Sequence, residues 1–340
     1  MRWCARIGLL AALCLAAPAS AAEQPLPRAT VKARKAFFGT ANVDRAGRVR
    51  DDRVLVSWFG VGSLAVSFEG RVVLLDTFLN NTGPGNCPSG PAAPSYVPAT
   101  YDQLAALRPE AIFIGHEHFD HECRTGELIV RTGARLVGLP QACALATSQA
   151  AAFAGKAAAV KCVPTLSAMS PFGASASIRP LGSRIGVDVI RNVHSGTASG
   201  PVSNSGGAEG VLFRFTVGRF SLVWNDTVGP LREKAPGALD VLRKLPATDV
   251  QFGASLGIGV AEQGYRDPVD YMEALRAKRY YPLHQDFPGA RDGTSKALKP
   301  AVSASLGGRP GVTTKLVWLQ DPKAYLRPIA FDPDSPAFAR

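Results

Sequence analysis

The chain has 340 residues, with 38 lysines and arginines against 27 aspartates and glutamates, a formal charge of +11, six cysteines and a hydrophobic fraction of 46%. It is too apolar for a disordered segment and long enough to bury a substantial core, which predicts one large α/β domain. The positive balance favours anionic partners without naming one.

Residues 1–22 differ in composition from the rest. Arg2 and Arg6 form a basic start, residues 7–17 are apolar, and Ala19-Ser20-Ala21-Ala22 supplies the small residues a signal peptidase cuts beside. The chain is therefore expected to be exported, to the periplasm or beyond, after cleavage near Ala21 or Ala22. A membrane anchor is the competing reading, but an apolar run of about a dozen residues is shorter than the roughly 20 that cross a bilayer. No second long apolar run follows, and Cys14 stands after the bulky Leu13, unlike a lipid-modified cysteine. Removing these 22 residues, two of them arginine and none acidic, leaves 318 residues and a charge of +9.

Residues 23–52 read as a solvated N-terminal extension ahead of a catalytic domain over 53–340. Arg28, Lys32, Arg34, Lys35, Arg45, Arg48 and Arg50 make it basic, but Asp44, Asp51 and Asp52 interrupt the run and few aromatics are interleaved, which argues against nucleic-acid binding. Short β-branched and apolar runs at 54–59, 64–68 and 72–75 predict strands, separated by Gly60-Val61-Gly62 and by Glu69-Gly70. After a loop rich in Gly, Pro and Asn over 80–98, the pattern predicts a helix at 101–107 and a buried strand at 111–114. Helices at 122–132 and 141–152 then alternate with extended runs at 135–137 and 159–163, the rhythm of βα units on a covered sheet.

The second half begins again with strands, at 176–179, 187–192, 211–217 and 220–224, followed by a helix within 236–245. Pro268 opens another helix over 268–278 with Asp267 as its expected N-cap, and 280–283 is strand-like. Two successive β-then-α halves point to two sheets with helices outside them.

Cys4 and Cys14 leave with the signal, and Cys87, Cys123, Cys143 and Cys162 remain, an even number for an oxidising compartment. Of the three connectivities, Cys87 with Cys123 and Cys143 with Cys162 is favoured. The first would tie two loops near the candidate site, and the second would bracket a helix and the strand after it. No close Cys-x-x-Cys spacing suggests a zinc knuckle.

The most informative segment is Ile112-Phe113-Ile114-Gly115-His116-Glu117-His118-Phe119-Asp120-His121, where a buried strand runs into three histidines and two acids. In extended backbone, residues two apart face the same way, so His116 and His118 can share one cation. A turn into the next helix would carry Asp120 and His121 round to a second. The chain has five histidines, and the other two, His194 and His284, also follow predicted strands. Asp226 follows the strand 220–224, where a carboxylate could bridge two ions. Imidazole and carboxylate donors suit zinc, and also manganese or iron.

The run His116-x-His118-x-Asp120-His121 resembles the signature of the metallo-β-lactamase superfamily. The likeness extends from Trp58-Phe59-Gly60 and Leu74-Leu75-Asp76-Thr77 to Pro282-Leu283-His284, most of the mature chain. It implies an α/β fold, an αββα four-layer sandwich of two mixed β-sheets flanked by helices, with the site at one edge. It also implies that His116, His118 and His194 hold one metal, that Asp120, His121 and His284 hold the other, and that Asp226 bridges them. Asp76 would orient a ligand from just outside. Gly115 stands where the family often has threonine. Asp226 replaces the cysteine of the main antibiotic-degrading subclass, which points away from β-lactamase activity, and His118 is not the glutamate of the flavin-linked di-iron proteins. The opening and closing segments look most like the broad group that includes ascorbate-6-phosphate lactonase and N-acyl phosphatidylethanolamine phospholipase D.

The function this implies is an exported hydrolase using hydroxide held between two divalent cations, most readily zinc, to cleave an ester, lactone or phosphodiester bond of a small anionic substrate, with Asp120 orienting the hydroxide. The loops after Asp76 and His194 are expected to rim the pocket. Glu117 and Asp286 flank ligands and are expected to lie outside the coordination shell or to face solvent. Two alternatives are an iron-dependent, sulfur dioxygenase-like oxidoreductase and a non-catalytic module stabilised by metal; the complete donor set argues against the latter.

Overall fold

Alternation along the first strand sets the architecture. Val54, Val56 and Trp58 enter one hydrophobic cluster while Leu55 and Phe59 enter another, so the sheet they belong to is covered on both faces. The computed structural model describes residues 24–79, 98–194, 196, 209–257, 259–286, 294–320 and 323–338. The expected signal segment lies outside these residues. In chain order the first half runs α1 (Arg28–Phe38), β1 (Val54–Gly60), β2 (Ser63–Phe68), β3 (Arg71–Leu75), α2 (Tyr101–Ala106), β4 (Ala111–Phe113), α3 (Thr125–Thr132), β5 (Arg135–Gly138), α4 (Pro140–Ala154) and β6 (Cys162–Pro164). The second half runs β7 (Ser175–Ile178), β8 (Ile185–Val193), β9 (Glu209–Val217), β10 (Phe220–Asn225), α5 (Leu231–Lys234), α6 (Pro236–Lys244), β11 (Val250–Ala254), α7 (Arg266–Leu275), β12 (Arg279–Leu283), α8 (Thr294–Gly307), β13 (Lys315–Leu316) and β14 (Ile329–Phe331).

Among the described residues these strands form two seven-stranded sheets, ordered β14-β1-β2-β3-β4-β5-β6 and β13-β12-β11-β10-β9-β8-β7. Both are mixed. In the first, β1 to β3 pair antiparallel and β3 to β6 parallel; in the second, β7 to β10 are antiparallel and β10 to β13 parallel. The inner faces meet in one core, where the Phe68 ring stacks on Phe215 at 4.7 Å and Phe113 meets Phe213 edge-on at 5.3 Å. Residues of α1 to α4 cover the outer face of the first sheet, and residues of α6 to α8 that of the second. The result is the αββα sandwich that the motif implied.

Strands β1 to β3 and β8 to β10 fall where the β-branched and apolar runs placed them. The helix expected from residue 122 starts only at Thr125, because the amides of His121 and Glu122 donate first to the His118 carbonyl, at 3.0 and 2.9 Å, in a tight turn. Strand β11 was not anticipated, nor were α8, β13 and β14. Asp267 is not an N-cap. Helix α7 begins at Arg266, two residues before the expected Pro268 and after Tyr265 at φ 56°, and the Asp267 carboxylate instead accepts the Leu231 amide at 3.2 Å.

The reading of residues 23–52 as solvated is overturned for α1. Its Ala33, Phe37 and Phe38 are buried against the first sheet, the Phe37 ring lies 6.0 Å edge-on from Phe59, and the Ser57 hydroxyl donates to the Phe37 carbonyl. The basic residues occupy the remaining faces, and Arg34 turns back to donate to the carbonyls of Leu107 and Gly47, each at 3.1 Å. The Cys143–Cys162 disulfide joins α4 to β6 as expected. Cys123 also stands in a disulfide; its expected partner, Cys87, lies outside the described residues. No described helix is long and apolar enough to cross a membrane.

If α1 is an integral layer, Phe37→Ala removes a large buried ring and lowers stability by about 3–5 kcal/mol, read as a shift in the urea denaturation midpoint. An unchanged midpoint would restore the solvated-extension reading.

Candidate metal centre

Strand direction gathers the candidate residues. Strands β3 and β4 run parallel, β10, β11 and β12 run parallel, and β8 shares the direction of β10 because both pair antiparallel with β9. Residues just past their carboxyl ends, Asp76, His116, His194, Asp226 and His284, therefore meet at one edge of the sandwich. The Val211 amide donates to the Gly115 carbonyl at 2.9 Å and joins the two sheets there.

The rings of His116, His118 and His194 approach one another with centroids 4.3 to 4.7 Å apart. The turn at His118 carries Asp120 and His121 to the other side, where Asp120 Oδ2 lies 3.3 Å from His284 Nε2 and 3.6 Å from His121 Nε2. Three groups of donor atoms result, each with its atoms within 4.8 Å: His116, His118 and His194; His116, His121 and Asp226; and Asp120, His121 and His284. Asp226 sits between the two sides, with Oδ2 at 2.8 Å from His116 Nδ1 and 3.6 Å from His121 Nδ1. Asp76 accepts from His121 Nδ1 at 2.6 Å, which leaves the Nε2 lone pair of His121 facing Asp120 and His284. The structure thus brings together all seven residues expected to bind metal, with Asp76 behind them.

The electrostatics suit a cation. Burial, then the neighbouring His121 and His118, holds His116 well below its ordinary pKa, and burial lowers His121 despite the charge of Asp120. Burial thus favours the neutral imidazole on both rings, the form that binds metal. Burial opposes charge on His284, but the hydrogen bond and charge of Asp120 outweigh it and raise that ring. Burial alone would raise Asp120 too, yet the charge of His121 and the hydrogen bond and charge of His284 hold it far below the usual carboxylate range. Asp76 and Asp226 are pushed upward, chiefly by burial. Nε2 of His116 and Oδ1 of Asp226 are buried and make no hydrogen bond among the described residues. Buried polar atoms left in that state fit a bound cation.

Two glycines make room for this crowding. A Cβ at Gly115 would overlap the Asp226 carboxylate, and one at Gly62 would lie 2.8 Å from Asp76 Oδ2 and 3.2 Å from His121 Nδ1. Gly115 does not occupy the left-handed region, so space and not backbone freedom requires it. The sequence showed Gly115 only as a missing hydroxyl. The stretches expected to rim the pocket, 80–97 and 197–208, lie outside the described residues. A separate cleft of about 550 Å³ lies between residues 41–51 and the β2–β3 turn and contains none of the site residues.

This architecture is the metallo-β-lactamase fold. No protein-family model matches the chain. A stretch of 83 residues is 31% identical to a UPF0173 metal-dependent hydrolase of Pyrobaculum calidifontis, covering 24% of this chain and 31% of that protein. A second such hydrolase, from Pyrobaculum neutrophilum, is 30% identical over the same length, so the chain matches about a third of the length of these relatives. Among solved structures, Igni18, a metallo hydrolase from Ignicoccus hospitalis, superposes with a TM-score of 0.54 at 15% identity, over 82% of this chain and 98% of that one. An isothiocyanate hydrolase from Delia radicum gut bacteria superposes with a TM-score of 0.51 at 11% identity, over 82% and 99% of the two chains.

Gly115→Ala is expected to displace Asp226 and to weaken metal binding on the order of 10- to 100-fold, as loss of supporting geometry around ligands does. Titration with zinc against a chromophoric chelator measures it. Wild-type affinity in the variant would show that Asp226 does not need that space.

Proposed function

We propose that the chain is an exported hydrolase that works with two divalent cations and cleaves an ester, lactone or phosphodiester bond in a small anionic substrate. One cation is held by His116, His118 and His194, the other by Asp120, His121 and His284, with Asp226 shared between them. Zinc suits these donors best, and manganese and iron also fit them. The observation that carries the reading is the convergence of donors from four loops, those after β4, β8, β10 and β12, into three overlapping groups at one buried edge. The names of the Pyrobaculum relatives, metal-dependent hydrolases, agree with it.

Divalent cations in such a site lower the pKa of water toward neutrality and polarise the oxygen of a scissile carbonyl or phosphoryl group. The residues of the chain supply the rest. Asp120 stays ionised at neutral pH and accepts a hydrogen bond from the attacking water, which fixes its direction. Asp76 holds the His121 ring in one tautomer and orientation. Asp226 keeps Oδ2 against His116 and toward His121 and leaves Oδ1 buried without a hydrogen bond among the described residues. The positive formal charge, +11 for the full sequence and +9 once the two arginines of residues 1–22 are removed, favours approach of an anionic substrate. The Cys143–Cys162 disulfide is the kind of bond that persists outside the reducing cytosol and supports export.

Purified protein should hydrolyse chromogenic phosphodiester, lactone or ester substrates, lose that activity on chelation and regain it with zinc or manganese. Asp120→Ala should lower kcat/KM on the order of 10²- to 10³-fold, the scale of losing one preorganised transition-state contact. Turnover indifferent to chelator and to Asp120→Ala would contradict the hydrolase reading, and oxygen uptake with a persulfide by an iron-loaded sample would replace it with the redox one.

A further inference from the structure

The turn between β1 and β2 and the residues after β12 form a closed ring of hydrogen bonds. Val61, fully buried and at φ 47°, holds a backbone conformation that is rare for a β-branched residue. Its carbonyl accepts from the His284 amide at 3.1 Å and from the Trp58 indole at 3.0 Å. Its amide donates to both carboxylate oxygens of Asp286, at 2.9 and 3.1 Å. His284 and Asp286 therefore grip the two polar groups of one residue from either side, and His284 is itself held at φ 71°. Asp286 is buried, contrary to the solvent-facing alternative in the sequence reading, and it accepts a hydrogen bond from the Tyr325 hydroxyl. Tyr325 is brought there by the C-terminal segment: its ring lies 4.7 Å from that of Trp58, the Leu326 amide donates to the Trp58 carbonyl at 3.0 Å, and β14 then pairs with β1.

We infer that Asp286 and Tyr325 are positioning residues that fix the His284 ring through Val61, and so set the affinity of one of the two cation sites without touching a cation. The inference rests on the two-cation reading above. The direction of the His284 side chain follows from its left-handed backbone, and that backbone is tied to Val61, whose amide is tied to Asp286. Removing the Tyr325 hydroxyl takes away one of the hydrogen bonds that hold the Asp286 carboxylate and loosens the ring. Among the described residues the ring's hydrogen bonds reach His284 and none of the other donors, so the cation with Asp120, His121 and His284 is affected and the one with His116, His118 and His194 is not.

The test is a zinc titration of the full chain against a chromophoric chelator, on wild type, Tyr325→Phe, Asp286→Asn and Asp120→Ala, with the urea midpoint of each measured alongside. Wild type should take up two equivalents. Tyr325→Phe and Asp286→Asn should weaken the equivalent that Asp120→Ala also weakens, by about 10- to 100-fold, and leave the other within about twofold. Both equivalents unchanged, or both weakened alike as a merely structural role would make them, overturns the inference and spares the two-cation reading. Fewer than two equivalents in wild type overturns that reading, and the inference with it. Should Tyr325→Phe not fold, Asp286→Asn decides.

Discussion

Five imidazoles and three carboxylates crowded into one edge of a sandwich are the constraint on which the structure turns. Buried ionisable groups of one kind penalise one another: His116 is held down partly by His121 and His118, and Asp76 is pushed up partly by Asp226. Hydrogen bonds such as His121 to Asp76 and His116 to Asp226 relieve part of that penalty. They leave the buried Nε2 of His116 and Oδ1 of Asp226 without hydrogen-bond partners among the described residues. A divalent cation resolves both problems at once, supplying the charge that the carboxylates need and the acceptor for imidazole lone pairs.

The fold makes that crowding reachable. Carboxyl ends of β3 and β4 in one sheet and of β8, β10 and β12 in the other open at the same edge, so donors far apart in sequence arrive on rigid strands. Close approach then depends on what is missing from the chain as much as on what is present. Gly115 and Gly62 have no side chain where Asp226, Asp76 and His121 must pass. The turn at Val61 is held by bonds from three directions, Trp58, His284 and Asp286. Strain in a buried turn persists only where the surroundings over-determine it, and this ring does so.

Much of this was legible in the sequence. Short β-branched and apolar runs within 54–75 and 187–224 marked the strands, because a strand covered on both faces is apolar along its length, and five histidines at or just past strand ends announced the site. What was missed has physical reasons. Strand β11 reads Val-Gln-Phe-Gly-Ala, its apolar run interrupted by Gln251 and Gly253, and Gln251 is accommodated in the core where it donates to Asn225 at 3.0 Å, a bond between segments distant in sequence. Helix α1 hides Thr30, Ala33 and Phe37, at helical spacing, inside a run of basic residues that dominates its composition. Asp286 and Gly115 carry meaning only through tertiary partners, Val61 and Asp226, which no local pattern displays. Asp267 looked like a cap because it precedes a proline, yet its partner is an amide 36 positions away.

Crystals soaked in zinc and measured on either side of the zinc absorption edge test the central claim most directly. The account predicts two anomalous peaks at this edge of the sandwich, one about 2.0–2.1 Å from ring nitrogens of His116, His118 and His194 and one at similar range from His121, His284 and a carboxylate oxygen of Asp120. A site that remains empty at saturating zinc, or zinc bound only away from these side chains, would contradict it.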